Sequence, residues 1–251
     1  MKRFLSSMAA ITPRRFAPLK AGAAANSNAP RLKGIVFDVD GTLCEPQTYM
    51  FKEMRDALGI TKSVDILDHI YALPTPEAQE TAMESIRQIE RTAMASQVAQ
   101  PGLTELMAYL DNRGVRKGIC TRNFDAPVAH LLGKFLEGSL FEPIVTRDFR
   151  PPKPDPAGIL HIARSWGLVK QPADDVNAKD AEGEASGLIM VGDSIDDMTA
   201  GRRAGAATVL LANDVNVHLV NHEHTDLVIR RLDELIPILE DGFQSRHASP
   251  Q

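Results

Sequence analysis

Residues 34–41 read GIVFDVDG, an apolar run that stops at two aspartates, Asp38 and Asp40, and a glycine. A short, continuous apolar run is how a strand buried on both faces of a parallel sheet reads. The two acids then fall at the carboxyl end of that strand, which is where open α/β sheets bind their ligands. Positions i and i+2 of an extended chain face the same side, so Asp38 and Asp40 can address one group together.

The rest of the chain has to supply the other strands, and from Pro101 onward it does. Helical stripes (Leu103, Leu106, Met107, Leu110; Val128, Leu131, Leu132, Phe135; Ile159, Ile162, Ala163, Trp166) alternate with short apolar runs at 115–120, 144–145, 187–191, 208–211 and 227–229. The expectation is an α/β fold with a Rossmann-like, doubly wound parallel sheet. Residues 46–100 carry helical signals only. Thr75-Pro76-Glu77 reads as a helix start, with Met83, Ile86 and Ala93 on one face, so a small helical domain is expected to be inserted after the first strand. The α/β core is expected over 31–45 and 101–245, the insert over 46–100, and residues 1–30 outside the fold.

A chain of 251 residues with 43% hydrophobic side chains can bury a full core. Its net charge of -5 is unevenly spread, since the first 34 residues hold seven of the 28 basic residues and none of the 33 acidic ones. An acidic body argues against a nucleic-acid partner, because phosphate neutralisation needs clustered Lys and Arg. No apolar run approaches the roughly 18 residues of a membrane span, so no membrane partner is expected. Cys44 and Cys120 give no disulfide framework and suit a reducing compartment; both read as small buried apolar side chains. The first 30 residues are rich in Arg, Lys, Ser and Ala and place Phe4, Met8 and Ile11 at helical spacing. That is the composition of a mitochondrial presequence, the alternative being a disordered basic tail on a cytoplasmic protein. Residues 171–186 are polar, acidic and aperiodic, as in a solvated loop. No apolar interface stripe stands out, and a monomer is expected.

Four strand ends are chemically loaded: Asp38 and Asp40, then Thr121-Arg122-Asn123, then Lys153, then Asp193 and Asp197. Two carboxylates this close repel, which raises the pKa of one unless a cation intervenes. A hard divalent ion such as Mg2+, gathered by oxygens including those of Asp193, would hold Asp38 as the anion while Asp40 keeps a proton. One acid is then a nucleophile and the other a proton donor, which suits phosphoryl transfer through an aspartyl-phosphate. Thr121 offers a hydroxyl and Lys153 a point charge to the transferring group. Rival chemistries fail on the same letters. An EF-hand starting at Asp38 needs Gly and Glu where Leu43 and Tyr49 stand, and neither a P-loop nor a G-x-G-x-x-G occurs. His218, His222 and His224 read as surface histidines.

The stretches FDVDGTL, ICTRN, KPDP and VGDSIDD, in this order, resemble the four motifs of the haloacid dehalogenase superfamily. The resemblance implies that Asp38 is the nucleophile and Asp40 the general acid and base. It implies that Thr121, with Arg122 beside it, and Lys153 bind the substrate phosphate. Mg2+ would be held by Asp38, the backbone carbonyl of Asp40, and Asp193, with Asp197 positioning its waters or Lys153. The insert resembles a C1-type cap of phosphoglycolate-phosphatase-like and β-phosphoglucomutase-like members. The implied function is a Mg2+-dependent phosphatase acting on a small phosphorylated metabolite. The alternatives are a phosphomutase and a non-catalytic scaffold that has kept the fold. Lys52, Arg55, Arg87 and Arg91 of the cap are candidates to meet a second anionic group, against the plainer reading of solvated helix faces.

Overall fold

A computed structural model describes residues 14–23, 27–168 and 185–246. The opening strand β1 (Gly34–Phe37) lies inside a six-stranded sheet with β2 (Lys117–Cys120), β3 (Ile144–Val145), β4 (Leu188–Gly192), β5 (Ala207–Leu211) and β6 (Leu227–Ile229). Every pairing is parallel and the order is β3-β2-β1-β4-β5-β6. The chain therefore winds outward from β1 in one direction and then in the other, which makes β1 and β4 the strands of the topological switch point. The expected strand over 115–120 starts only at Lys117, because the Val115 amide is spent on the carbonyl of Leu110 at the end of the preceding helix.

Alternation along the strands divides the core into two layers. Ile35 and Phe37 face α4 (Leu103–Asn112), α5 (Asp125–Phe135) and α8 (Leu235–Asp241), whereas Val36 and Met190 face α6 (Ala157–Ser165) and α7 (Ile195–Ala204). Helix α7 begins with a capping box, in which Ser194 and Asp197 satisfy each other's backbone amides and fix the turn that follows β4.

Residues 46–100 fold as three helices, α1 (Thr48–Leu58), α2 (Ile66–Tyr71) and α3 (Pro76–Ala95). Asp65 caps α2, and Thr75 caps α3 with Pro76 in its first turn. They carry an apolar cluster of their own, built on Met50, Met54, Ile70, Met83 and Ile86. The two connecting segments run side by side, Glu45 N bonding Val98 O at 2.9 Å and Gln100 N bonding Leu43 O at 3.1 Å. Among the described residues, no helix is long and apolar enough to cross a membrane.

The structure corrects the expectation that residues 1–30 stay outside the fold for the part it describes, where residues 16–19 pack on the core. Phe16 is 3% exposed and packs in the main core against Phe243. Phe16 N bonds Phe243 O at 2.9 Å, and Leu19 N bonds Leu239 O at 2.8 Å. Composition read the segment as a whole, but Phe16-Ala17-Pro18-Leu19 is apolar enough to add a strap to α8 and the C-terminal turn. The helical spacing of Phe4, Met8 and Ile11 lies outside the described residues, as does nearly all of the acidic stretch 171–186.

Candidate active site

The sheet brings the four loaded strand ends to one place. Asp38 follows β1, and its amide bonds Val191 O at 3.0 Å, tying it to the end of β4 where Asp193 stands. Lys153 reaches in from the loop after β3, its Nζ 2.6 Å from Asp38 Oδ1 and also bonded to Asp197 Oδ1. The other oxygen of Asp197 accepts from Ser194 Oγ at 2.6 Å. Asn216, beyond β5, braces the Asp193 carbonyl at 2.7 Å. Gly41 sits at φ +79°, and a Cβ there would overlap the Asp193 carboxylate. Only glycine both takes that left-handed turn freely and leaves the carboxylate room.

Electrostatics follow from burial. Burial pushes the Asp38 pKa up, to about 7, against the pull of Lys153. Asp193 rises to about 8, through burial first and then the charges of Asp197 and Asp38. Asp40 is raised too, by burial, with hydrogen bonds from the Asn123 amide and the Cys44 thiol opposing the rise. For Lys153 burial works against the charge, but Asp197 and Asp38 outweigh it and its pKa is raised. Burial also raises both thiols, Cys120 to about 12, so neither is a thiolate and both stand as buried small side chains.

The cluster is short of positive charge. Asp38, Asp193 and Asp197 each offer an oxygen within 4.8 Å of the others. Among the described residues Lys153 is the one cation bonded to them, the Asp193 carboxylate accepts no hydrogen bond, and Asp40 Oδ2 is buried without a partner. Carboxylate oxygens alone, with unfilled lone pairs on Asp193 and Asp40 and raised pKa values for Asp38, Asp40 and Asp193, fit a hard divalent cation.

Above the cluster lies a cavity of about 270 Å³. The core lines it with Thr121, Arg122, Asn123, Arg147 and Lys153, and the insert with Phe51, Met54, Arg55, Ile66, Ile86 and Glu90. Thr121 and Lys153 are both buried beside Asp38 and Asp40. Arg122 lines the wall, but its terminal nitrogens are bonded to Asp65 at 2.6 Å and Asp196 at 2.8 Å. Lys52, Arg87 and Arg91 lie away from the cavity in exposed pairs with Asp56, Glu80 and Glu84.

Sequence reasoning missed the buried pair of Glu90 and Arg147, which joins α3 to the loop after β3. Both carried a signal. Glu90 sits in the apolar stripe of Met83, Ile86 and Ala93, and Arg147 stands two residues past Val145, at a strand end.

A family profile for haloacid dehalogenase-like hydrolases matches residues 32–205. An uncharacterized hydrolase of Saccharomyces cerevisiae is 45% identical over 212 residues, 83% of this chain and 90% of that one. A phosphoglycolate phosphatase of Pseudomonas savastanoi is 31% identical over 142 residues, which are 56% of this chain and 47% of its own length. In fold, the crystal structure of a hydrolase from Pseudomonas syringae superposes with a TM-score of 0.62 at 24% identity, covering 83% of this chain and 98% of that one.

Proposed function

The chain belongs to the haloacid dehalogenase-like hydrolases, and from that premise we propose a Mg2+-dependent phosphatase that hydrolyses a small phosphorylated metabolite through an aspartyl-phosphate on Asp38. The observation that carries the reading is the pairing at the switch point. One oxygen of Asp38 is anchored to Lys153, and Asp40, with its raised pKa, stands beside it under the cavity.

The residues divide the work as their surroundings dictate. Lys153 fixes the Asp38 carboxylate by Oδ1, leaving the other oxygen to attack phosphorus, and its charge faces the transferring group. Asp197 keeps Lys153 in place from behind. Thr121 presents its hydroxyl to the phosphate. Asp40 retains a proton that it gives to the leaving oxygen, then takes one from the water that cleaves the acyl-phosphate. Asp38, Asp193 and the Asp40 carbonyl would hold Mg2+, which when bound supplies positive charge against the phosphate oxygens. The insert is the cap of this site. Its apolar side chains shield the acyl-phosphate, and its side chains meet the leaving group. The cavity is small against the range of about 300–1,000 Å³ usual for ligand pockets, which supports a substrate of metabolite size. The phosphatase name of the Pseudomonas savastanoi relative supports the reaction class.

The test is phosphate release from a panel of phosphate monoesters, with Mg2+ and with a chelator, for the wild type and Asp38→Asn. Turnover that needs the metal and disappears in the variant is expected. An isomeric phosphate ester in place of free phosphate would point to a mutase. An Asp38→Asn enzyme as active as the wild type would refute the assignment of Asp38.

A further inference from the structure

Four cations line the cavity: Arg55, Arg122, Arg147 and Lys153. Three of them are already matched by acids. Lys153 holds Asp38 and Asp197, Arg122 holds Asp65 and Asp196, and Arg147 holds Glu90. Arg55 differs, for among the described residues it is in no ion pair. One terminal nitrogen, Nη1, donates to the carbonyl of Phe51 one turn back on α1, at 3.1 Å. Its Nε is buried with no partner. Arg147 Nε is likewise unpartnered, but the charge of Arg147 is met by Glu90. Native structures rarely keep a buried donor idle, and one at the wall of a binding cavity is placed to meet an acceptor on a ligand. With Nη1 turned to Phe51, the guanidinium edge formed by Nε and Nη2 carries no protein acceptor among the described residues, and that edge is the fork that binds a carboxylate or phosphate by two parallel bonds.

The surroundings of Arg55 narrow the ligand further. Apart from Asp65 and Glu90, whose charges are taken up by Arg122 and Arg147, the insert's wall is largely apolar, through Phe51, Met54, Ile66, Leu67 and Ile86, and the Gln47 amide is occupied by the carbonyl of Ala93 at 2.9 Å. Such a wall offers little to a polyhydroxylated sugar and suits a short carbon spacer.

Resting on the phosphatase reading, we propose that Arg55 is a specificity-determining residue and that the substrate is a short-chain phosphate monoester with a second oxyanion, a carboxylate or another phosphate, at its far end. Arg55 acts on binding and takes no part in the transfer of the phosphoryl group.

The experiment compares wild type, Arg55→Met and Arg55→Lys on three kinds of ester. These are phosphorylated short-chain hydroxy acids and the matching bisphosphates, the methyl esters of the same phosphorylated acids, and p-nitrophenyl phosphate, whose leaving group has no second anion. Arg55→Met should lower kcat/KM for the dianionic substrates about 10- to 100-fold, mainly through KM, as loss of a charged hydrogen-bond pair implies. It should leave p-nitrophenyl phosphate and the methyl esters within about twofold, and Arg55→Lys should recover part of the loss. Whichever of the acid and bisphosphate arms shows the larger effect identifies the second oxyanion. Equal losses on every substrate, with a lowered melting temperature, would make Arg55 a structural residue and overturn the proposal. An unchanged preference for acid over methyl ester in Arg55→Met would overturn it too, while leaving the phosphatase reading intact. Failure of the wild type to release phosphate from any ester, p-nitrophenyl phosphate included, would end both.

Discussion

Glu90 and Arg147 are 5% and 2% exposed, and they join the insert to the core at the wall of the cavity. Burial raises the Glu90 pKa to about 7 despite the attraction of Arg147, so the cost of drying the two charges is not fully recovered by their contact. Removing one partner from such a pair strands the other, at about 3–5 kcal/mol, whereas replacing both with apolar side chains of similar volume is close to neutral or stabilising. Glu90→Ala and Arg147→Met are each expected to lower stability by about 3–5 kcal/mol, and Glu90→Leu/Arg147→Met to lie within about 1 kcal/mol of the wild type. The two singles should also differ with pH. In Arg147→Met the stranded Glu90 loses the attraction that holds its pKa down, so it takes up a proton at higher pH than in the wild type and its penalty shrinks as pH falls towards about 7, then levels off; a guanidinium cannot deprotonate, so the Glu90→Ala penalty persists. In the wild type, a carboxyl whose folded pKa is raised contributes most below its unfolded value of about 4.5. That contribution is lost as pH rises through about 7, and Glu90→Gln removes this part of the pH dependence. Urea denaturation at pH 6 and pH 8, with Cm compared at constant m, measures all of these. A double variant as unstable as the two singles added together, or singles costing less than about 1 kcal/mol, would refute the reasoning.

Two further outcomes follow from backbone and packing. Gly41→Ala pays about 1–2 kcal/mol for a left-handed φ and must also push the Asp193 carboxylate aside, so phosphatase turnover should fall far more than the melting temperature does. A Gly41→Ala enzyme with wild-type turnover would show that Asp193 does not depend on that gap. Phe16→Ala should cost about 3–5 kcal/mol, as for a core aromatic, and a chain starting at Arg31 should be at least as destabilised. Equal melting temperatures for the full chain and that shortened one would return residues 14–20 to the status of a dispensable tail.

Much of the core was legible because its signals are local. An apolar run bounded by acids marks β1 by itself, and alternation with helical stripes requires a parallel sheet whatever the residues at the surface. The strand-end rule then gathered Asp38, Asp40, Thr121, Lys153 and Asp193 without any knowledge of distance. What stayed hidden depends on partners far apart in sequence. Residues 14–20 read as a tail because basic composition masked a four-residue apolar strap whose partners are Leu239 and Phe243. Glu90 broke an apolar stripe, but the reason for the break, Arg147, lies 57 residues on. Arg55 was one of four cap cations until the structure showed that its three companions had exposed acids of their own on α1 and α3.

The contacts between insert and core differ in weight, and the difference bears on Arg122. Its pair with Asp65 is partly exposed, 29% and 37%, and is screened accordingly; pairs of that kind contribute about 0–1 kcal/mol. The bond of Arg122 to Asp196 is within the core side and does not hold the insert at all. The insert is therefore held to the core by the buried Glu90–Arg147 pair, by the Lys134 bond to the Gln97 carbonyl at 2.9 Å, and by Arg91 over the Phe124 ring and Arg150 over the Tyr71 ring. Loss of the Arg122–Asp65 pair is expected to loosen the insert little, whereas Arg147 cannot leave Glu90 without stranding a buried charge. Of the two arginines at the strand ends, Arg147 is thus the one whose pairing holds the wall of the cavity in place.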